Sequence, residues 1–160
     1  MTAQTAQTAQ RNPTGDDVVL AHAEAMHAKD LTCKALGIAL EAVEPGRAVL
    51  TMQVAGDMVN CHGIGHGGYV FLLADSAFAY ACNSYGPVTV AQTAQVTFLL
   101  PVRPGDLLAA EAVERSRQGR TGLYDVTVTR RDDGAVVAEF RGHSVTLSGN
   151  PFAAQPAPAP

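Results

Sequence analysis

NCHGIGHGGYVFLLADSAFAYACNSYG, residues 60–86, sets a single carboxylate, Asp75, inside a nearly unbroken apolar run. No Lys or Arg occurs in this stretch, while glycines and histidines crowd its approach. The pattern predicts a helix over about 69–83, approached through Gly65-His66-Gly67-Gly68 and left through Tyr85-Gly86-Pro87. A helix apolar on nearly all sides has to be buried. The run from 70 to 82 is too short to span a membrane, and it carries Asp75. No membrane partner is expected.

On the N-terminal side, residues 16–29 read as a helix. Val19, Leu20, Ala23 and Met26 recur at helical spacing, and acids occupy the first turn. The segment 36–54 shows two strand-like runs around Glu44-Pro45-Gly46-Arg47, a hairpin signal. Beyond the apolar helix the period changes to two. Strands are expected at 88–100, 107–117, 123–131 and 135–147, broken at 101–106, 118–122 and 132–134 by turn residues. The order is helix, two strands, apolar helix, four strands. The one available cover for such a helix is an antiparallel sheet of about six strands curling round it, an α+β layer arrangement. That is the hotdog architecture. A second subunit is expected to cover whatever the sheet leaves open.

Composition narrows the function. A length of 160 residues suits one domain, read as 16–148 between unstructured tails at 1–15 and 149–160. The first tail holds the threefold TAQ repeat, and the last is rich in Pro and Ala. Eleven Lys and Arg against fifteen Asp and Glu give a net charge of −4, so nucleic acid is not an expected partner. MTAQTAQTAQ has neither a basic nor an apolar leader region. Cys33, Cys61 and Cys82 are odd in number and lack CxxC spacing. Reduced thiols and a cytoplasmic location are expected.

Asn60, His66-Gly67-Gly68 and Ala74-Asp75, in this order of elements, resemble the hotdog-fold acyl-CoA thioesterases. The resemblance extends through Leu36-Gly37-Ile38, Phe98-Leu99 with Pro101, Gln118-Gly119, Thr121-Gly122 with Tyr124-Asp125, and Phe140-Arg141-Gly142. It covers roughly 20–147. It implies hydrolysis of an acyl-CoA thioester, with an aromatic acyl group, phenylacetyl or its ring-hydroxylated form. It also implies no cofactor and a homodimer that pairs further into a tetramer. The absence of Trp and the presence of only five Phe and four Tyr give an aromatic pocket no independent support. Two other readings are a hotdog enoyl-CoA hydratase and a non-catalytic acyl-CoA binder. The first lacks a histidine partner for Asp75; the second lacks a DNA-binding segment.

Asp75 leads the candidate site. Seven residues past Gly68 it is too deep to cap the helix, and a buried carboxylate without a partner is costly. It is either satisfied by local hydroxyls or by Arg103 or Arg120, or kept for chemistry, as general base or as nucleophile. Gly67 and Gly68 open the helix, where unpaired N–H groups and the dipole favour a developing oxyanion. Gly67 is the stronger donor candidate. His66 is read as a general acid, a donor to the thioester, or a loop residue holding Asn60. The resemblance makes Asn60 a polar group that positions water or the substrate carbonyl. It also puts a hydroxyl one turn after the acid in some relatives, where this chain has Ala79. His62, His66, Cys61 and Asp75 do not match zinc-site spacing, so no metal is expected. Arg117 and Arg120, with Ser116 and Thr121, form a basic turn suited to the phosphates of coenzyme A, and Arg103 is a further candidate. Finally, Asp75 and Gly67 lie too far apart on one helix to share a water. Antiparallel helices across a twofold axis would join them from two subunits.

Overall fold

The computed structural model describes residues 15–149. The elements are α1 (Gly15–Lys29), α2 (Leu31–Leu36), β1 (Ala39–Glu44), β2 (Arg47–Gln53), α3 (Gly67–Asn83), β3 (Thr89–Phe98), β4 (Leu107–Gln118), β5 (Thr121–Arg130) and β6 (Val136–Thr146). The tail readings at 1–14 and 150–160 lie outside the described residues. Gly15, read as the end of the first tail, is instead the first residue of α1.

α2 has no counterpart in the sequence reading. Its signals are local. The Asp30 carboxylate accepts the Cys33 N–H at 2.9 Å, and Gly37 closes the helix at φ 64°. Six residues are too few to show an apolar period.

The six strands form one sheet in the order β1-β2-β4-β5-β6-β3, every neighbouring pair antiparallel. Chain-adjacent hairpins account for β1-β2, β4-β5 and β5-β6. β3 instead crosses to the far edge beside β6. The β4–β5 turn is tighter than the sequence suggested. Gln118 pairs Thr121, leaving Gly119 and Arg120 as a two-residue loop with Gly119 at φ 58°.

The inner face of the sheet alternates as a half-buried strand should, with Leu50 and Met52, Leu108, Tyr124, Val126 and Val128, and Phe140 buried against α3. Small residues let the sheet close on the helix. A Cβ at Gly142 would lie 2.9 Å from the Phe78 ring, so β6 can carry only glycine there. Phe78 in turn packs on Tyr124 and Phe140 at 5.4 and 5.7 Å between centroids. The far end of α3 is fastened by Asn83, whose amide donates to the Thr89 carbonyl at 2.7 Å and accepts the Thr89 N–H at 2.9 Å. This is the helix-in-sheet architecture of the hotdog fold. No helix among the described residues is long and apolar enough to cross a membrane.

Two features remain open. Gly68, Phe71, Leu72, Asp75, Ser76 and Ala79 recur at helical spacing, and every one of them is only half-buried or exposed. β3 is a sheet edge, with Phe98 at its end and Leu99 and Leu100 beyond it about half exposed.

Candidate active site

The approach to α3 is a loop folded on itself. The Asn60 N–H donates to the Ile64 carbonyl, Gly63 N–H to the Asn60 carbonyl, and His66 N–H to the Met58 carbonyl. The Gly65 N–H donates to the Val102 carbonyl at 2.8 Å, tying this loop to the one leaving β3. A Cβ at Gly65 would lie 2.5 Å from the Val102 side chain, so this glycine serves packing.

His66 is the N-cap of α3. Its Nδ1 accepts the Gly68 N–H at 2.9 Å, which leaves Nε2 as the protonated nitrogen of the neutral ring. It does not hold Asn60, whose Oδ1 accepts the His62 N–H at 2.9 Å. The Gly68 N–H is therefore used within the chain. The Gly67 N–H has no partner among the described residues. It stands at the positive end of a 17-residue helix.

A cleft of about 560 Å³ opens beside it, lined by Asn60, Gly67, Val70, Phe98, Leu99 and Val137 among others. Its walls are apolar apart from Asn60 and the backbone. Phe98, named in the sequence only as part of the family resemblance, and Val137 are lining residues to which the sequence gave no site role, because an apolar strand residue carries no local sign of which cavity it faces.

Asp75 lies about 12 Å along the helix axis from Gly67 and does not line this cleft. It is half-buried, and among the described residues nothing donates to its carboxylate. Neither Arg103 nor Arg120 folds back on it, nor does a local hydroxyl. Burial raises its pKa above the ordinary carboxylate value. Ala79, one turn on, brings no hydroxyl.

The basic residues divide between two places. Arg103 is next in the chain to Val102, which lines the Asn60 cleft, and its backbone N–H is held by the Asp106 carboxylate at 2.9 Å; Arg103 itself does not line the cleft. Arg117, Arg120 and Thr121 line a separate cavity of about 150 Å³ with Cys82 and Tyr85, at the opposite end of α3. There the Arg117 guanidinium stacks 3.8 Å over the Tyr85 ring and sits 3.7 Å from Glu114. Ser116 is exposed on β4 beside this turn. Within one chain the basic turn and Gly67 are thus separated by the length of the 17-residue helix, about 25 Å.

The helix wrapped by its sheet, with an apolar cleft at the start of the helix, is an architecture this chain shares with thioesterases. Residues 62–137 match the Thioesterase superfamily. Acyl-coenzyme A thioesterase PaaI of Escherichia coli (strain K12) is 44% identical over 128 residues, 80% of this chain and 91% of that one. The chain belongs to the hotdog-fold acyl-CoA thioesterases. The E. coli PaaI structure, from the phenylacetic acid degradation operon, superposes with a TM-score of 0.82 at 41% identity, over 85% of this chain and 98% of that one. A variant of the phenylacetic acid degradation protein PaaI of Thermus thermophilus gives 0.70 at 38% identity, over 74% and 100%. A Streptococcus mutans UA159 protein solved with acetyl CoA bound gives 0.66 at 25% identity, over 69% and 88%. The chain is an acyl-CoA thioesterase.

Proposed function

We propose that this thioesterase hydrolyses phenylacetyl-CoA or its ring-hydroxylated forms to the free acid and coenzyme A, at sites shared between two subunits of a homodimer. The supporting observation is the half-buried Asp75 carboxylate, two helical turns from the Gly67 N–H, with neither group partnered among the described residues. Neither group has a structural task among the described residues.

The acyl group enters the cleft of Asn60, Val70 and Phe98, and its carbonyl oxygen accepts the Gly67 N–H. That bond strengthens as negative charge develops and is worth about 3 kcal/mol of barrier. Asn60, with Oδ1 engaged in its turn, offers its amide N–H groups to the carbonyl or to water. His66 positions rather than reacts: it fixes the first turn of α3 and thereby the direction of the Gly67 N–H. Asp75, of raised basicity, takes a proton from the attacking water. Direct attack by the carboxylate to form an anhydride uses the same placement.

The half-exposed stripe of Gly68, Phe71, Leu72, Asp75, Ser76 and Ala79 supports a second subunit. Laid antiparallel on its copy, this stripe brings one chain's Asp75 to the other's Gly67, in an isologous contact with two equivalent sites. It also places the partner's basic turn beyond this chain's Gly67, where Arg117, Arg120, Ser116 and Thr121 can meet coenzyme A phosphates, with Arg103 next to the cleft lining on the near side. Dimers pairing into tetramers complete the proposal, with residues 15–148 as the folded domain.

The phenylacetyl assignment draws on the operon of the E. coli relative. The test is thiol release from a panel of acyl-CoA thioesters. Phenylacetyl-CoA and hydroxyphenylacetyl-CoA are expected to give the highest kcat/KM. A higher value for long linear acyl groups contradicts the substrate assignment, and tight binding without thiol release would favour an acyl-CoA binder.

A further inference from the structure

We infer that Phe98 selects against acyl groups branched at the α-carbon, by standing beside the amide that holds the thioester carbonyl. The inference rests on Gly67 as the oxyanion donor. It adds a residue that decides which acyl groups can reach it.

Phe98 is the last residue of the edge strand β3 and is 53% exposed in the single chain. Large aromatic side chains are usually covered, so the placement of this one calls for a physical account. Its position is fixed by its backbone. Phe98 pairs with Ala138 in β6, and the next two residues, Leu99 and Leu100, donate their N–H groups to the Val137 carbonyl at 2.9 and 3.2 Å. The ring lies over the first turn of α3. A Cβ at Gly67 would sit 2.9 Å from Phe98 Cζ and 3.2 Å from both Cε atoms, well inside van der Waals contact. Gly67 and Phe98 face the same cleft.

An acyl carbonyl on the Gly67 N–H carries its α-carbon one bond from the carbonyl carbon, which places that carbon within reach of the ring. An α-methylene presents only hydrogens and passes the ring. A methyl branch on that side meets it. Past the methylene, a flat aryl group can pack on the Phe98 ring edge to face, a contact that favours aromatic pairs. The substrate class is therefore acyl-CoA with an unbranched α-CH₂, arylacetyl groups included.

The test compares two isomers with the same number of carbons, n-butyryl-CoA and isobutyryl-CoA, in wild type, Phe98→Leu and Phe98→Ala. Wild type is expected to prefer the linear isomer in kcat/KM by about 10-fold or more, the scale of one misplaced methyl in a tight pocket. Phe98→Ala is expected to shrink that ratio at least about five-fold, by raising turnover of the branched isomer, with Phe98→Leu in between. A half-exposed residue contributes little to the core, so both variants should fold, and either alone decides the matter. A wild-type ratio near one overturns the inference. So does an unchanged ratio in the variants, or an equal loss on both isomers. The oxyanion assignment is scored separately: turnover that survives Gly67→Pro refutes it whatever the ratio shows.

Discussion

His66 Nδ1 accepts the N–H of Gly68 at 2.9 Å, so the histidine that opens α3 spends its acceptor nitrogen on the helix itself. The neighbouring Gly67 N–H is thereby the donor left over. If capping is the role of His66, a different capping side chain should replace it. His66→Ala is expected to lose about 1 kcal/mol of stability and several-fold in kcat, while His66→Asn restores both most of the way. Thermal melts and thiol-release kinetics on the two variants check this. An Asn variant that is stable yet as inactive as Ala would give His66 a direct chemical role.

Asp75→Asn separates activity from stability. Loss of a general base should reduce kcat by at least about 100-fold, with KM within a few-fold, since the carboxylate acts in the transition state. A variant keeping a third of wild-type turnover refutes the assignment. Burial raises the folded-state pKa of Asp75, so the native chain holds this proton more tightly than the unfolded chain. At neutral pH the buried charge therefore opposes folding. That cost fades as pH falls through the folded pKa and is gone below the unfolded value. Asp75→Asn should accordingly raise Tm at pH 7, with a gain that shrinks toward pH 4. For the same reason the acid limb of wild-type kcat/KM should lie above the usual carboxylate pKa. A lower Tm at pH 7 would contradict this.

Arg117→Ala and Arg120→Ala are each expected to raise KM for the full acyl-CoA about five- to ten-fold. Both should leave a truncated thioester lacking the nucleotide unaffected, because guanidinium groups at this turn are matched to phosphate. Steady-state kinetics on the two substrate types decide. Equal losses on both would make the turn structural, with the Arg117–Tyr85 stack as its purpose.

The sequence already contained the helix in its sheet, because Val70 to Cys82 is apolar on nearly all sides and the strands after it alternate. Asp75 and Gly67 stand out as candidates for a related reason: an acid and glycines break an apolar pattern. What stayed hidden depends on tertiary placement. α2 rests on two caps rather than a period. Gly65 is explained only by Val102 against it, 37 positions along the chain. Phe98 is one more apolar strand residue until β3 is seen at the sheet edge. The basic turn was read correctly as a turn, but its distance from Gly67 follows from which end of α3 it faces.

The cysteines offer a simple check on the fold. Burial pushes the thiols of Cys33 and Cys82 up to about 12, whereas Cys61 is exposed in the approach loop. A disulfide reagent at pH 8 should titrate one thiol per chain quickly and the other two only on unfolding. Cys61→Ser should keep full turnover, since no nucleophilic role is assigned to it. Rapid reaction of all three thiols would contradict the packing of α2 and α3.

The shared site is tested most directly by mixing two inactive proteins. Asp75→Ala lacks the base, and Gly67→Pro lacks the donor N–H; proline suits the backbone of a first helical position, while the Phe98 ring has to turn aside for its Cβ. Each alone should be inactive. Unfolded, mixed in equal amounts and refolded, about half the dimers should be mixed, and each of those regains one of its two sites. The Gly67 of one subunit then meets the Asp75 of the other. The account expects about a quarter of wild-type activity to return. If each chain carried its own complete site, every site in the mixture would lack one group. Mixed dimers that form but show no activity would contradict the shared site.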